Sequence, residues 1–162
     1  MRRSLLVSAA VLGLLVQVGM ADATTVVALG ASNTAGKGVE PSQAYPAQLQ
    51  AMLRARGVDV SIINAGINGD TTGGMMARLD SAVPRGTKVV ILQPGGNDLR
   101  QGAPDYTSEI RNRLRAMGIR VVMVPNAMFR GKPHQPDGIH LTPEGYHMLA
   151  QQLVGPVASA LR

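Results

Sequence analysis

The sequence predicts a single three-layer α/β domain built on a small parallel sheet of about four strands. Apolar runs alternate with amphipathic stretches from residue 24 to the end. The runs are continuous and rich in β-branched residues, as strands covered on both faces are. No internal repeat, linker or low-complexity tract interrupts them. The chain has 162 residues, 45% hydrophobic and 16% charged, a size suited to one domain and a balance unlike that of a disordered chain.

The first segment stands apart from the fold. Met1-Arg2-Arg3 is a basic start, Leu5 to Met20 is mostly apolar, and Ala21-Asp22-Ala23 has the form of a cleavage site. This reads as a secretory signal peptide over residues 1–23, leaving one domain over 24–162. An uncleaved anchor helix competes with it, but the run is short and carries Gly13, Gln17 and Gly19. The paired arginines also suit a twin-arginine route. Export to the periplasm or the medium is expected, with no stable membrane insertion after cleavage. Loss of Arg2, Arg3 and Asp22 would lower the net charge of +6 by one. The chain has no Cys, which excludes a disulfide scaffold, thiolate catalysis and Cys-based metal sites.

Each element has its own signal. Thr25 to Leu29 reads as the first strand, ending at Gly30. Tyr45, Leu49, Met52 and Leu53 fall at helical spacing, with Gly57 as a stop. Val58 to Asn64 is the second strand. Met75, Met76, Leu79 and Val83 line one face of a helix that Pro84 ends. Lys88 to Gln93 is the third strand. Ile110, Leu114 and Met117 mark another helical face closed by Gly118, and Ile119 to Val124 is the fourth strand. Thr142-Pro143-Glu144 has the pattern of an N-cap, a first-position proline and a first-turn acid. Tyr146, Leu149, Leu153, Val157 and Leu161 then continue one apolar stripe.

Two binding classes are weak from the outset. A positive charge invites nucleic acid, but single-strand recognition needs stacking rings, and Tyr45, Tyr106, Phe129 and Tyr146 are few and scattered. No nucleic-acid partner is expected. The stretch Gly30 to Gly38 superficially suggests a phosphate loop, but the ordering of Gly, Lys and hydroxyl residues fails at two positions, Ala31 and Gly38. No cofactor is expected, and no clustered ligands point to a metal.

In open parallel sheets the ligand crevice lies outside the carboxyl ends of the strands. The four strand ends are followed by Gly30-Ala31-Ser32-Asn33-Thr34-Ala35-Gly36, by Asn64-Ala65-Gly66-Ile67-Asn68-Gly69-Asp70, by Gly95-Gly96-Asn97-Asp98 and, after a loop, by Asp137-Gly138-Ile139-His140. One rim thus gathers a hydroxyl, amide donors and an Asp/His pair, the parts that acyl transfer requires. A serine hydroxyl needs a base to take its proton, and imidazole suits that work near neutral pH. The base needs an acceptor on its other nitrogen, and Asp137, three residues from His140, can reach it within one turn. Ser32 N–H, Gly69 N–H and the Asn97 amide are candidate donors for an oxyanion.

These blocks, GASNTAG, NAGINGDTT, GGND and DGIHLTPEGY, resemble the four motif blocks of the SGNH (GDSL-type) hydrolases, in the branch of bacterial secreted arylesterases and thioesterase I/lysophospholipase-like enzymes. The resemblance implies a flavodoxin-like α/β/α fold, in a trimmed form, and hydrolysis of a small-molecule ester or thioester. By motif match, Ser32 is the nucleophile, Gly69 and Asn97 are oxyanion donors, Asp137 is the orienting acid and His140 the base. A hydrolase-like module that holds an ester or glycan without turning it over is the alternative.

Two departures stand out. Ala31 occupies the place of the family aspartate, which leaves open how the nucleophile loop is braced. Asn97 and Asp137 are only 40 positions apart, which implies a trimmed sheet and an open acyl site. Bland readings exist for each residue. Alone, Ser32 reads as a helix cap, Asp137 as a turn former, and Gly95 to Asn97 as a turn. Gly66 competes with Gly69 as the amide donor. His134 lies in a proline-rich loop and His147 inside the last helix, so neither rivals His140. Asp70 and Asp98 read as loop fixers, the nine Met residues as core filler, and Arg111, Arg113, Arg115 and Arg120 as a solvated face or a contact for an anionic lipid.

Overall fold

The computed structural model describes residues 23–162. The leader expected over residues 1–23 therefore lies, apart from its last residue, outside the described residues. The strands are β1 (Thr24–Gly30), β2 (Val60–Gly66), β3 (Val89–Gln93) and β4 (Arg120–Met123). They form one parallel sheet in the order β2-β1-β3-β4. The chain leaves β1 for one side and returns for β3 on the other, so strand order reverses beside β1. That reversal is where an open parallel sheet offers a crevice.

The inner strands are apolar through residues 26–29 and 89–92 because both of their faces are covered. Val26 and Ala28 of β1, with Val89 and Ile91 of β3, pack on one face against α2 (Tyr45–Arg54) and α7 (Pro143–Leu161). Val27, Leu29, Val90 and Leu92 pack on the other face against α3 (Thr72–Ala77), α4 (Leu79–Ala82) and α6 (Thr107–Ala116). Two further short helices complete the α-helices among the described residues, α1 (Ser32–Ala35) directly after β1 and α5 (Asn97–Gln101) after β3. Thr142 caps α7 by accepting from Gly145 N–H at 3.2 Å, with Pro143 at the first helical position.

The structure corrects several expectations. The edge strand β2 is not covered on both faces: Ile63 is 40% exposed and Asn64 is exposed. The helix expected through Met75, Met76, Leu79 and Val83 is two helices, broken at Arg78. The Arg78 guanidinium is pulled inward, donating to Asp70 at 2.9 Å and to the Ala65 carbonyl at 2.9 Å, and a charged side chain so held is at odds with a continuous apolar face. Met117 lies beyond the end of α6 and is 45% exposed, so it does not share the face of Ile110 and Leu114. Leu161 closes the α7 stripe only half-buried. Among the described residues, no helix is long and apolar enough to cross a membrane.

Candidate active site

Gly30, Gly66 and Gln93 lie side by side in register, so the segments leaving β1, β2 and β3 start from one rim. The first segment turns at once into α1, which presents Ser32 at its start. The fourth contributor arrives from residues 133–142, folded back on itself by Gln135 N–H to the His140 carbonyl at 2.7 Å and Thr142 N–H to the Pro133 carbonyl at 3.1 Å. This back-folded loop carries Asp137 and His140 to the rim.

There the Ser32 Oγ lies 2.8 Å from His140 Nε2, and His140 Nδ1 lies 2.5 Å from Asp137 Oδ2. The other carboxylate oxygen, Oδ1, accepts from the backbone N–H groups of Ile139 and His140 at 2.9 and 3.0 Å. The imidazole is buried, whereas the Asp137 side chain is 44% exposed. The hydrogen bond to the His140 ring, followed by the two backbone N–H bonds, holds the Asp137 carboxyl well below the usual carboxylate range. An ionised Asp137 demands a proton on Nδ1, which leaves Nε2 of neutral imidazole with its lone pair toward the Ser32 hydroxyl.

The donor side of the rim is also assembled. Asn97, at the start of α5, donates from Nδ2 to the Asp70 carbonyl at 2.6 Å, while its Oδ1 accepts from Arg100 Nη2 at 2.5 Å. Both Asn97 polar atoms are thereby fixed, and the amide keeps one further hydrogen. Gly69 and Gly66 differ in kind. Gly66 N–H donates to Asn64 Oδ1, and a Cβ on Gly66 would sit 2.1 Å from the Ala35 nitrogen, so this glycine permits α1 to pack on β2. Gly69 has φ +79°, faces open space, and its N–H donates to no group among the described residues. The Ser32 N–H is likewise without an acceptor among the described residues.

Asp70 and Asp98 fix loops, as expected. Asp70 pairs with Arg78 at 2.8 Å, and buried Asp98 accepts from the Thr72 N–H and hydroxyl at 3.0 and 2.9 Å. Neither His134 nor His147 meets a carboxylate: His134 donates to the Lys132 carbonyl, and His147 contacts Gln48 and Gln151. The basic patch does not line the site. Arg113 pairs with Asp80, and Arg120 opens β4 at the opposite end of the sheet. Among the described residues no group of three or more His, Cys, Asp or Glu is arranged to hold a metal.

Sequence reasoning missed Gln93. Its buried Oε1 accepts from Ala31 N–H at 3.1 Å and from the Thr34 hydroxyl at 3.0 Å, bracing the segment that carries Ser32. The signal was a polar residue closing an otherwise apolar strand. Arg100, Arg130, His134 and Phe129 were missed as well. With Ser32 and Asn97 they line a cavity of about 280 Å³ on this rim.

A small parallel sheet wound in this order and covered by helices is the architecture of the SGNH hydrolase folds. The chain belongs to the GDSL-like Lipase/Acylhydrolase family, which matches residues 28–138. It is 35% identical over 128 residues to Esterase TesA of Pseudomonas aeruginosa, covering 75% of this chain and 63% of that protein. It is 33% identical to an arylesterase of Vibrio mimicus over 59% of this chain and 51% of the relative. The chain thus spans between one half and two thirds of the length of these curated relatives. Esterase EstA of Pseudoalteromonas sp., in a crystal structure inhibited by monoethylphosphonate, aligns with a TM-score of 0.72 at 19% identity, over 85% of this chain and 98% of its own. A crystal structure of TesA aligns at 0.69 and 24% identity, over 84% and 99%.

Proposed function

We propose that this chain is a serine esterase that hydrolyses carboxylic esters through an acyl-enzyme on Ser32. One observation carries the reading: the unbroken relay from the Ser32 hydroxyl through His140 to Asp137, standing beside an open cavity. Ser32 Oγ attacks the ester carbonyl carbon as His140 Nε2 takes its proton. The oxygen that gains charge is held by the N–H groups of Ser32 and Gly69 and by the free Asn97 amide hydrogen. Collapse of this intermediate breaks the bond to the leaving group, which departs as an alcohol or thiol with the proton from Nε2. Water then gives a proton to His140 and adds to the acyl carbon. A second collapse frees the acid and returns the proton to Oγ.

Asp137 keeps Nδ1 protonated and shares the charge of the imidazolium in both halves of the cycle. The cavity is small for a ligand site, which favours short acyl or aryl esters; thioesters and lysophospholipids use the same machinery. The names of the curated relatives, an esterase and an arylesterase, support the ester class. Export of a single domain over residues 24–162, after loss of the leader, completes the proposal, with a small-molecule ester as the partner. Hydrolysis of para-nitrophenyl acetate tests it: Ser32→Ala falls to the uncatalysed background. Full turnover in that variant would remove Ser32 from the reaction, and binding without turnover in the unaltered protein would make the chain a ligand-holding module.

A further inference from the structure

Next to the nucleophile, Asn33 is 8% exposed and makes two bonds that reach across the fold. Its Nδ2 donates to the Ile139 carbonyl at 3.2 Å, 106 positions away, and its Oδ1 accepts from the Tyr146 hydroxyl at 3.0 Å. The amide orientation is dictated by chemistry. A carbonyl oxygen can only accept, so Nδ2 must face Ile139, and Oδ1 is left for a donor. Burial pushes the Tyr146 hydroxyl up to about 12, so it remains a donor at any ordinary pH.

The loop from Asp137 to His140 is rigid within itself, because Asp137 grips the N–H groups of Ile139 and His140 and the imidazole ring. Apart from the Ser32–His140 contact itself, two side-chain bonds tie this loop region to the nucleophile segment. One is Gln135 Nε2 to the Lys37 carbonyl at 2.8 Å, past the end of α1; the other is Asn33, with one neighbour carrying the hydroxyl and its acceptor's neighbour carrying the ring. We propose that Asn33 is a positioning residue that sets the separation between the Ser32 hydroxyl and the His140 imidazole, with Tyr146 orienting its amide. It touches no reacting atom; it fixes two that do. The inference rests on the reading of Ser32 as the nucleophile.

Labelling by a fluorophosphonate probe tests both and separates them. The Ser32 oxygen forms a bond to phosphorus, fluoride leaves, and His140 takes the hydroxyl proton, so the labelling rate reads activation of the serine without any acyl pocket. Unaltered protein is labelled at Ser32 and Ser32→Ala is not. Labelling elsewhere, or none, overturns the nucleophile reading and this inference with it. If the unaltered protein is labelled, Asn33→Ala and the isosteric Asn33→Asp, which loses the donor, label about 10–100-fold more slowly, the scale expected for a misplaced catalytic pair. Their kcat for para-nitrophenyl acetate falls in parallel while KM stays within about twofold. Tyr146→Phe, which keeps the ring and loses only the hydroxyl, shows a smaller fall in the same direction. Folded Asn33 variants that label at the unaltered rate overturn the inference, as does a change confined to KM. Should the Asn33 variants fail to fold, an unchanged labelling rate in Tyr146→Phe overturns it alone.

Discussion

Asn97 sits between a cation and a carbonyl. Arg100 on its Oδ1 draws electron density toward the guanidinium, and a charge-assisted bond of this kind strengthens the N–H groups on the same amide. The Asp70 carbonyl uses one of those hydrogens and so fixes the direction of the other. If that hydrogen meets the developing oxyanion, Asn97→Ala loses about 10²–10³ in kcat with little change in KM, measured by steady-state kinetics. A loss confined to KM would mean that Asn97 only shapes the cavity. Asp137 makes a separate prediction about pH. Its folded carboxyl titrates below the unfolded one, so its contribution to stability is present above the unfolded value, about 4, and is lost as pH falls through the folded value. Asp137→Asn should therefore be less stable than the unaltered protein at pH near 7, with the difference closing as pH drops below about 4 in denaturant titrations. A difference independent of pH would contradict the ionised pairing. With its carboxyl held well below the usual carboxylate range, Asp137 is also not a group that changes charge between pH 8 and 5.

At the scale of elements, the turn that carries Ser32 answers the question raised by Ala31. Ala31 is 2% exposed among Leu29, Val27 and their neighbours, and its N–H is already taken by Gln93. Gln93 also accepts from Thr34, whose hydroxyl contacts buried Tyr45 at 3.3 Å, so the turn is held by a neutral, buried network. Ala31→Asp would bring a carboxylate into that network against the lone pairs of Gln93. We expect a loss of about 1–3 kcal/mol in stability by chemical denaturation and no gain in turnover. A more active, equally stable variant would show that the turn lacks its acid after all. These elements also mark what a sequence alone discloses. All four strands and the helices α2, α6 and α7 announced themselves through apolar period and caps, because packing on a sheet face imposes those periods. α1 and α5 are too short to show a period, and the break at Arg78 depends on Asp70 and Ala65, which only the fold brings near. The meeting of Ser32 with His140 and Asp137 on one rim was legible because Ser32 follows a strand end and the Asp/His pair precedes the cap of the last helix. Gln93 and Asn33 act through partners 62 and 106 positions away, and no local spacing announces such a bond.

At the scale of the whole molecule, the short interval between Asn97 and Asp137 holds the short α5, the longer α6, one strand and the start of a back-folded loop, and the sheet accordingly has four strands. β4 is followed by the short turn Asn126–Phe129, which places Phe129 and Arg130 against the cavity before the chain returns with His140. The topology brings residues from both ends of the domain together: Ser32 follows the first strand and His140 precedes the last helix, 108 positions later. Catalysis on this plan requires the acyl group to pass through one particular oxygen. Rapid quenching of para-nitrophenyl acetate turnover at acid pH, with peptide mapping by mass spectrometry, observes that passage directly. An acetyl group on the peptide containing Ser32, formed within the first turnover and lost on incubation at neutral pH, is the predicted result. Turnover that proceeds while Ser32 stays unmodified, or with acetyl accumulating on another residue at the rate of hydrolysis, would contradict it.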